Sequence, residues 1–342
     1  MKKKKFYFKL IISLLAVAII SAGAAYFALR EKAPAKLGGE VEVFIQDGWG
    51  AGAAAREFER LGIVSDGRVL VKYIVQIGIE RKIKPGKYKI RAGYAENVAR
   101  ELAAASPEVR MIRILPGALL DDIKASLGDN GASLTAALSD DKNFPEDSRV
   151  LLPAKAADRI TMLAPETYSI LPDGKDAERL VTAAAALWWK QRRDTLPNDI
   201  TSADILRNGI LASIIEKEAL VSADRPMMAG VFKNRLGAGM PLQSCATVVY
   251  AWKTRGVKIE RVNFNDIKIN SPFNTYIHDG LPPGNIGVPS VGSWSAALSP
   301  ASTDMLFFVA KGDGGHVFTR TYSEHLAAKN KIDRESKGKP NK

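Results

Sequence analysis

The spacing of hydrophobic positions changes several times along the chain and predicts alternating strands and helices. Apolar residues at every second position predict strands, and apolar residues three or four positions apart predict amphipathic helices. Strands are predicted over residues 41–46, 87–90, 111–115, 305–310 and 316–321, the last two forming a hairpin. Helices are predicted over residues 51–61, 66–79, 92–105, 119–127, 177–193 and 204–220, the last with Ser202 as its candidate N-cap. This pattern is typical of an α+β protein, here with an irregular region rich in Gly, Pro, Asn and Ser between residues 240 and 300.

A long apolar run near the N-terminus predicts a membrane anchor. Residues 10–29 carry no charge and are about as long as a helix that crosses a hydrocarbon core. Four lysines precede the run at positions 2–5, which predicts that the N-terminus stays inside. A cleaved signal peptide is the alternative, because residues 22–24 (Ala-Gly-Ala) resemble a processing site, but the apolar run continues past them. We therefore predict a single-pass protein of the cytoplasmic (inner) membrane, with the remaining chain in the periplasm or outside the cell.

The net charge and the small number of cysteines and histidines limit which functions the chain can have. The net charge of +12 suits an acidic polymer such as cell-wall glycan, a lipid surface or nucleic acid. Nucleic acid is not predicted, because the chain shows no zinc-ligand spacing, aromatic RNA-binding run or basic recognition helix. Cys245 is the only cysteine and the three histidines are widely spaced, so we expect no disulfide, no metal and no cofactor.

Two carboxylates close the sequence Leu211–Glu218, and only one of them lies on its hydrophobic side. Glu216 and Glu218 are two positions apart, which places them about 200° apart around a helix. Glu218 falls within the stripe formed by Leu211, Ile214 and Ile215, whereas Glu216 does not. Partial desolvation raises the pKa of a carboxyl and favours the protonated form that a general acid needs. Glu218 is therefore the candidate acid, and Glu216 is assigned a solvated or structural role.

The same helical geometry also fits a structural carboxylate. A buried Glu218 could pair with an arginine, for which Arg225 and Arg235 are the candidates. Helical geometry alone leaves both interpretations open.

The segments around Glu218 resemble the YceG-like family of endolytic murein transglycosylases. Matching pieces occur in the family's order: LASIIEKE at 211–218, RPMMAGVFKNRL at 225–236, GMPLQ at 239–243, TVVY at 247–250, NTY at 274–276, GLPPGNI at 280–286 and GGHVF at 314–318. Upstream, residues 165–168 (PETY) resemble the family's PDTY element. Each piece is weak alone, but their common order is highly specific. The predicted anchor and the small α+β units before residue 160 fit the same family, whose N-terminal part is LysM-like.

The resemblance implies a reaction and a catalytic residue. The family's catalytic glutamate is the second of the EKE element, which falls on Glu218. Glu218 alone would protonate the bond between N-acetylmuramic acid and N-acetylglucosamine in peptidoglycan strands. It would then accept the proton of the muramic 6-hydroxyl, which closes a 1,6-anhydro ring without water or metal. Peptidoglycan synthases of the membrane are the implied protein partners.

The same segments supply candidate substrate-binding residues. They are Gln243, Tyr250, Asn274, Thr275, Tyr276 and His316. Alternatives remain for several of them. Asn274 also fits a turn, the two tyrosines also fit core packing with a satisfied hydroxyl, and His316 also fits a hairpin histidine satisfied by the backbone.

The chain departs from the family pattern near the expected cleft. The family's LQTDPTV reads LQSCATV at 242–248, so Cys245-Ala246 replaces Asp-Pro. Ala219 replaces a common threonine, residues 116–117 lack the acid of the family's Pro-Glu-Gly turn, and the Leu-Glu-Gly before PDTY is absent from residues 162–164. These changes are expected to remove polar groups while catalysis is retained. A weakly active or non-catalytic glycan-binding protein and a hydrolytic muramidase are the alternatives, whereas Cys245 as a nucleophile is disfavoured because no flanking base is evident.

The predicted organisation follows from these segments. It comprises a basic cytoplasmic tail at 1–9, the anchor at 10–29, a linker at 30–40, a LysM-like α+β module at 41–108, a second small α+β module at 109–160, a mixed α/β catalytic domain with an irregular cleft region at 161–328, and a basic flexible tail at 329–342.

Overall fold

The computed structural model describes residues 34–46 and 48–337. The chain divides into two compact units, the first ending at Val109 and the second beginning at Arg110. The predicted anchor at 10–29 lies outside the described residues. Within the described part, no helix is both long enough and apolar enough to cross a membrane.

The first unit packs three helices on a two-stranded sheet. Strands β1 (Glu40–Ile45) and β2 (Gly86–Arg91) pair antiparallel, and the helices are α1 (Ala51–Arg60), α2 (Gly67–Gln76) and α3 (Ala95–Ala104). Alternate residues of β1, Val43 and Ile45, point into a core with Phe58 and Leu70, which are fully buried. Asp66 begins α2 by accepting the Arg68 N–H at 2.8 Å.

The second unit contains the motif segments described above, a large hydrophobic core and a small second cluster of Val248, Ala251 and Ile269. Its strands form two antiparallel pairs, β3 (Arg110–Ile114) with β4 (Glu166–Ile170) and β5 (Phe307–Ala310) with β6 (His316–Thr319). Its helices are α4 (Leu120–Leu127), α5 (Leu134–Ser139), α6 (Asp176–Arg192), α7 (Ser202–Glu218), α8 (Arg225–Gly237), α9 (Cys245–Lys253), α10 (Val291–Leu298) and α11 (Tyr322–Lys337). Short 3-10 turns connect several of them.

Helix α7 is the central helix of this unit. Thr201 caps it in a capping box with Asp204, so the predicted N-cap at Ser202 is one residue late. Ile205, Ile214 and Ile215 are fully buried, and close packing at Gly209 leaves no room for a side chain beside Thr161. Ala219 is already extended, so Glu218 is the last helical residue and the predicted continuation to residue 220 is wrong.

The predicted strands and most predicted helices are confirmed within a few residues. Two further predictions are wrong. The region between 240 and 300, predicted to be irregular, contains α9 and α10. The predicted module at 109–160 has no core of its own, because β3 pairs with β4 and one hydrophobic cluster runs from Ile112 to Ala297. The LysM-like character of the first unit stays a prediction.

Candidate functional site

Glu218 lies where the end of α7 meets the start of α9. Its Oε1 atom accepts a hydrogen bond from the Ser244 hydroxyl. The same oxygen accepts the Ala246 N–H at 3.1 Å. Ala246 is the second residue of α9, so its N–H is one of the donors that a helix leaves unpaired at its start. This donor holds one oxygen of the Glu218 side chain at the start of α9.

The alternative in which Glu218 pairs with a buried arginine is wrong. Arg225 lies 3.5 Å from Glu216 instead. Arg235 donates to backbone carbonyls, at 2.6 Å to Leu306 and 2.9 Å to Leu242. Among the residues that the structure describes, no lysine or arginine forms an ion pair with Glu218. Glu218 is half-buried and thus open to a ligand from one side.

Glu216 has a structural role, and its predicted solvated alternative is wrong. Its side chain is only 8% exposed. The Oε2 atom accepts the Ser290 N–H at 2.9 Å, the Ser290 hydroxyl and the Ser293 hydroxyl at 2.7 Å. Since Ser290 is the N-cap of α10, Glu216 ties the end of α7 to the start of α10. The two carboxylates therefore point to different helices, as their spacing predicts.

The segment at 243–247 is held in place by buried threonines. The Ser244 N–H donates to Thr275 Oγ1 at 3.0 Å, and the Gln243 N–H donates to the Thr275 carbonyl at 3.0 Å. Thr247 and Thr275 join their hydroxyls at 2.9 Å. Gln243 has a φ of 53°, a left-handed backbone conformation that is uncommon for a residue other than glycine. The exposed Gln243 side chain thus stands on a constrained turn directly before Ser244.

Asn274 and Thr275 lie beneath the site rather than on its surface. The Asn274 side chain is fully buried and donates to the carbonyls of Ile267 and Ile269, both at 2.8 Å. Its Oδ1 atom accepts the Tyr276 N–H at 3.0 Å. Thr275 is equally buried, in the contacts with Ser244 and Thr247. The predicted contact of these two residues with substrate is therefore corrected to a role in positioning the loops, because their polar atoms are already occupied.

The side chains of Tyr276 and Cys245 lie next to each other at the site, and both are uncharged. The Tyr276 hydroxyl lies 3.2 Å from Cys245 Sγ. Burial, the contact with Cys245 and the nearby charge of Glu218 together raise the pKa of Tyr276, against a smaller opposing effect of Arg235. Burial also raises the pKa of the Cys245 thiol, against a smaller opposing effect of the contact with Tyr276, and the charge of Glu218 adds to the rise. Both groups therefore remain protonated at neutral pH, and Cys245 lacks the thiolate character of a nucleophile.

Tyr250 lines a separate groove, one helical turn along α9 from Ala246. Its ring packs on Phe273 with 4.7 Å between ring centroids. The groove has a volume of about 380 Å³ and is also lined by Asp158, Asn285 and Lys253. Burial raises the pKa of Asp158, which accepts a hydrogen bond from Asn285. The tyrosine thus combines the predicted packing role with a surface on which a ring could stack.

His316 lies in the hairpin away from any open surface. Its side chain is 6% exposed, and its Nδ1 atom is 3.0 Å from Asp224 Oδ2. The His316 N–H donates to the same oxygen at 2.9 Å. The ring packs edge-on against Phe308. His316 therefore fastens β6 to the residue before α8, and its contact with substrate stays a prediction.

The sequence interpretation missed two groups that touch Glu218, the Ser244 hydroxyl and the Ala246 N–H. A serine at the start of a helix is a recognisable N-cap signal, but α9 itself was not predicted. The substitution at 246 was expected only to remove polarity. It instead provides a backbone donor, because proline at this position would have no N–H.

The fold and the site define an α+β protein with a candidate acid–base centre built on one carboxylate. The model of the YceG-like family matches residues 43–331. The chain therefore belongs to the YceG-like family, as the motif order predicts.

Relatives and a solved structure agree with this assignment. An endolytic murein transglycosylase of Bacillus subtilis (strain 168) is 50% identical over 121 residues, which are 35% of this chain and 33% of that protein. Endolytic murein transglycosylases of two Streptococcus pneumoniae strains, D39 and R6, are each 29% identical over 327 residues, with coverage of 84% of this chain and 59% of theirs. The chain thus spans 33–59% of the length of these relatives. The crystal structure of the YceG-like protein lmo1499 from Listeria monocytogenes matches with a TM-score of 0.53 and 25% identity, over 84% of this chain and 98% of that one.

Proposed function

We propose that this protein is an endolytic peptidoglycan transglycosylase in which Glu218 is the single general acid and base. The observation that carries the proposal is the isolated Glu218 carboxylate, which contacts a serine hydroxyl and a helix N-terminus and no cation of the described chain. The names of the relatives give the substrate class, murein. Their family membership supports the reaction type.

One carboxylate suffices because the substrate supplies the second nucleophile. Protonated Glu218 gives its proton to the oxygen that joins C1 of N-acetylmuramic acid to N-acetylglucosamine, and that C1–O bond breaks. The muramic 6-hydroxyl oxygen then bonds to C1, and its proton passes to the Glu218 carboxylate. The products are a 1,6-anhydro end and a free 4-hydroxyl, and the enzyme regains its starting protonation state. A pair of carboxylates, as in hydrolytic glycosidases, is not required.

The neighbours of Glu218 suit this cycle. The Ser244 hydroxyl and the Ala246 N–H at the start of α9 hold Oε1 of Glu218 in place through both proton transfers. The neutral Tyr276 hydroxyl and the exposed Gln243 amide can donate to substrate oxygens. The groove at Tyr250 offers an aromatic surface and polar groups to a sugar adjacent to the cleaved bond.

The proposal includes the location. Anchoring through residues 10–29 would hold Glu218 close to the bilayer, where new glycan strands emerge. Internal cuts in nascent strands are then more natural than trimming of mature wall, and the synthases of those strands are the expected partners. The uncharged run of residues 10–29 behind the lysines at 2–5 supports this location.

The deciding experiment compares the products of the full chain and its Glu218→Gln variant. Purified peptidoglycan strands are digested, and the new ends are identified by mass spectrometry. We expect 1,6-anhydro ends from the wild type and a loss of roughly 10²- to 10⁴-fold in Glu218→Gln, because the amide cannot supply the proton. Glu178→Gln, a change at an exposed glutamate of α6, is the matched control and should leave the rate unchanged.

Three other outcomes would overturn the proposal. Reducing ends in place of anhydro ends would indicate a hydrolytic muramidase. Binding without any cleavage would indicate a glycan-binding protein. Undiminished cleavage by a folded Glu218→Gln protein would remove Glu218 from the reaction.

A further inference from the structure

We propose that Ser244 is a positioning residue that orients Glu218 so that Oε2, not Oε1, delivers the proton to the glycosidic oxygen. This inference rests on the proposed function of Glu218. Ser244 is not among the predicted substrate contacts. In this proposal Oε1 of Glu218 accepts the hydrogen bonds that orient the carboxyl group, and Oε2 carries the acid proton.

Hydrogen bonds with two threonines hold the backbone of Ser244, and their directions follow from which atoms can donate a proton. The Thr247 hydroxyl is 2.8 Å from the Ser244 carbonyl, which can only accept, so the single hydroxyl proton of Thr247 is directed there. The contact of 2.9 Å between the threonine hydroxyls must then be donated by Thr275. Thr275 Oγ1 in turn accepts the Ser244 N–H at 3.0 Å. The result is a closed ring of hydrogen bonds that holds both the N–H and the carbonyl of Ser244.

Burial makes this ring a rigid support. Ser244, Thr247 and Thr275 are each no more than 1% exposed. Buried polar groups that are fully paired hold a single arrangement, because breaking one pair leaves an unsatisfied group away from water. The Ser244 side chain therefore has a fixed origin from which its hydroxyl reaches Glu218.

The hydrogen bonds to Glu218 also distinguish its two carboxyl oxygens. The Ala246 N–H can only donate, and the structure describes no acceptor for the Ser244 hydroxyl other than Glu218. Oε1 thus accepts two hydrogen bonds and is the oxygen without the proton. No hydrogen bond to Oε2 occurs within the described part of the chain. The acid proton then belongs on Oε2, the oxygen that remains free to face a ligand.

Loss of the Ser244 hydroxyl should affect turnover more than binding. With one donor fewer, Oε1 is held only by Ala246, and the carboxyl can rotate away from the reacting oxygen. Misplacement of a catalytic group by about 1 Å can cost roughly 10²-fold in rate.

The experiment uses the full chain with Ser244→Ala, Ser244→Thr and Ser139→Ala. We expect Ser244→Ala to lower kcat by roughly 10²-fold with KM nearly unchanged. Ser244→Thr should restore most of kcat, since it keeps the hydroxyl and the family pattern itself has threonine at this place. Ser139→Ala removes an exposed serine hydroxyl of α5 and is the control.

The outcomes separate this inference from the proposed function. An unchanged kcat in Ser244→Ala, while Glu218→Gln is inactive, would overturn only the role of Ser244. Equal losses in Ser244→Ala and Ser244→Thr would also overturn it, because the hydroxyl would not be the group that matters. Activity in Glu218→Gln would instead overturn the proposed function.

Discussion

The pair Cys245-Ala246 changes the chemical surroundings of Glu218 at the scale of single atoms. Where the family pattern has a carboxylate followed by a proline, this chain has a protonated thiol followed by an alanine. The Ala246 N–H donates to Glu218 Oε1 at 3.1 Å, whereas a proline at this position would have no N–H to donate. The chain thus surrounds its candidate acid with neutral donors. The sequence indicated the substitutions but not their effect, because the direction of a backbone N–H depends on the helix that begins there.

The first prediction at this scale concerns the thiol. Because the pKa of Cys245 is raised, its thiolate fraction at neutral pH is lower than that of a free cysteine, and alkylation by iodoacetamide should be slower than for a cysteine-containing peptide. The alkylation rate should rise only at a pH above the ordinary range for thiols. Glu218→Gln removes a charge that raises this pKa, so alkylation should become faster in that variant. Mass spectrometry of the intact protein over a pH series measures both rates.

The thiol itself should be dispensable for cleavage. Cys245→Ser keeps a small polar side chain beside Tyr276, and we expect product formation within a few-fold of the wild type. An inactive but folded Cys245→Ser protein would contradict the assignment of Glu218 as the only catalytic carboxyl or thiol group. Alkylation of the wild type as fast as that of the free peptide would contradict the electrostatic account.

At the scale of elements, the helices differ in how far the sequence predicts them. Helix α7 is predictable from its length and its many apolar residues, although residues 209–215 are buried on every side and do not form one apolar stripe. Helix α9 is not, because Thr247, Val248 and Val249 are β-branched and favour strands. Its helical form depends on burying Thr247, Val248 and Ala251 against distant parts of the chain. Such tertiary contacts override local propensity, and with α9 the sequence interpretation also missed Ser244 and Ala246.

The prediction at this scale tests the different roles of the two glutamates. Glu216→Gln leaves Arg225 without its charged partner and weakens the contacts that join α7 to α10. We expect it to lower the free energy of unfolding by about 1–3 kcal/mol, because buried polar groups lose their best partner. Urea denaturation of the full chain measures this, with Glu178→Gln as the exposed control. Cleavage below the unfolding transition should persist, and a stable but inactive Glu216→Gln protein would show that the roles of the two carboxylates are misassigned.

At the scale of the whole molecule, every group placed at the candidate site belongs to the second unit. The first unit has its own hydrophobic core, between Val43 and Leu102. Patterning predicted its strands and helices well, because each is short, amphipathic and bounded by turn residues. The extent of the second unit was harder to predict. Pairing of β3 with β4 joins residues more than fifty positions apart, which no local pattern reveals.

The last prediction concerns attachment of the whole chain to the membrane. If residues 10–29 remain as an anchor, the protein isolated from membranes should have the mass of the full chain, 37.1 kDa, and should resist alkaline extraction. Val17→Lys together with Ile20→Lys places two charges near the centre of the run, at about 2.5–3.5 kcal/mol each. This variant should leave the membrane fraction, whereas Val17→Leu with Ile20→Leu should not. A mature protein shortened near residue 24 would show that the segment is a cleaved signal. Anhydro ends in the cell wall should fall with loss of the anchor while the purified variant keeps its activity on isolated strands, because none of the groups around Glu218 lies in residues 10–29.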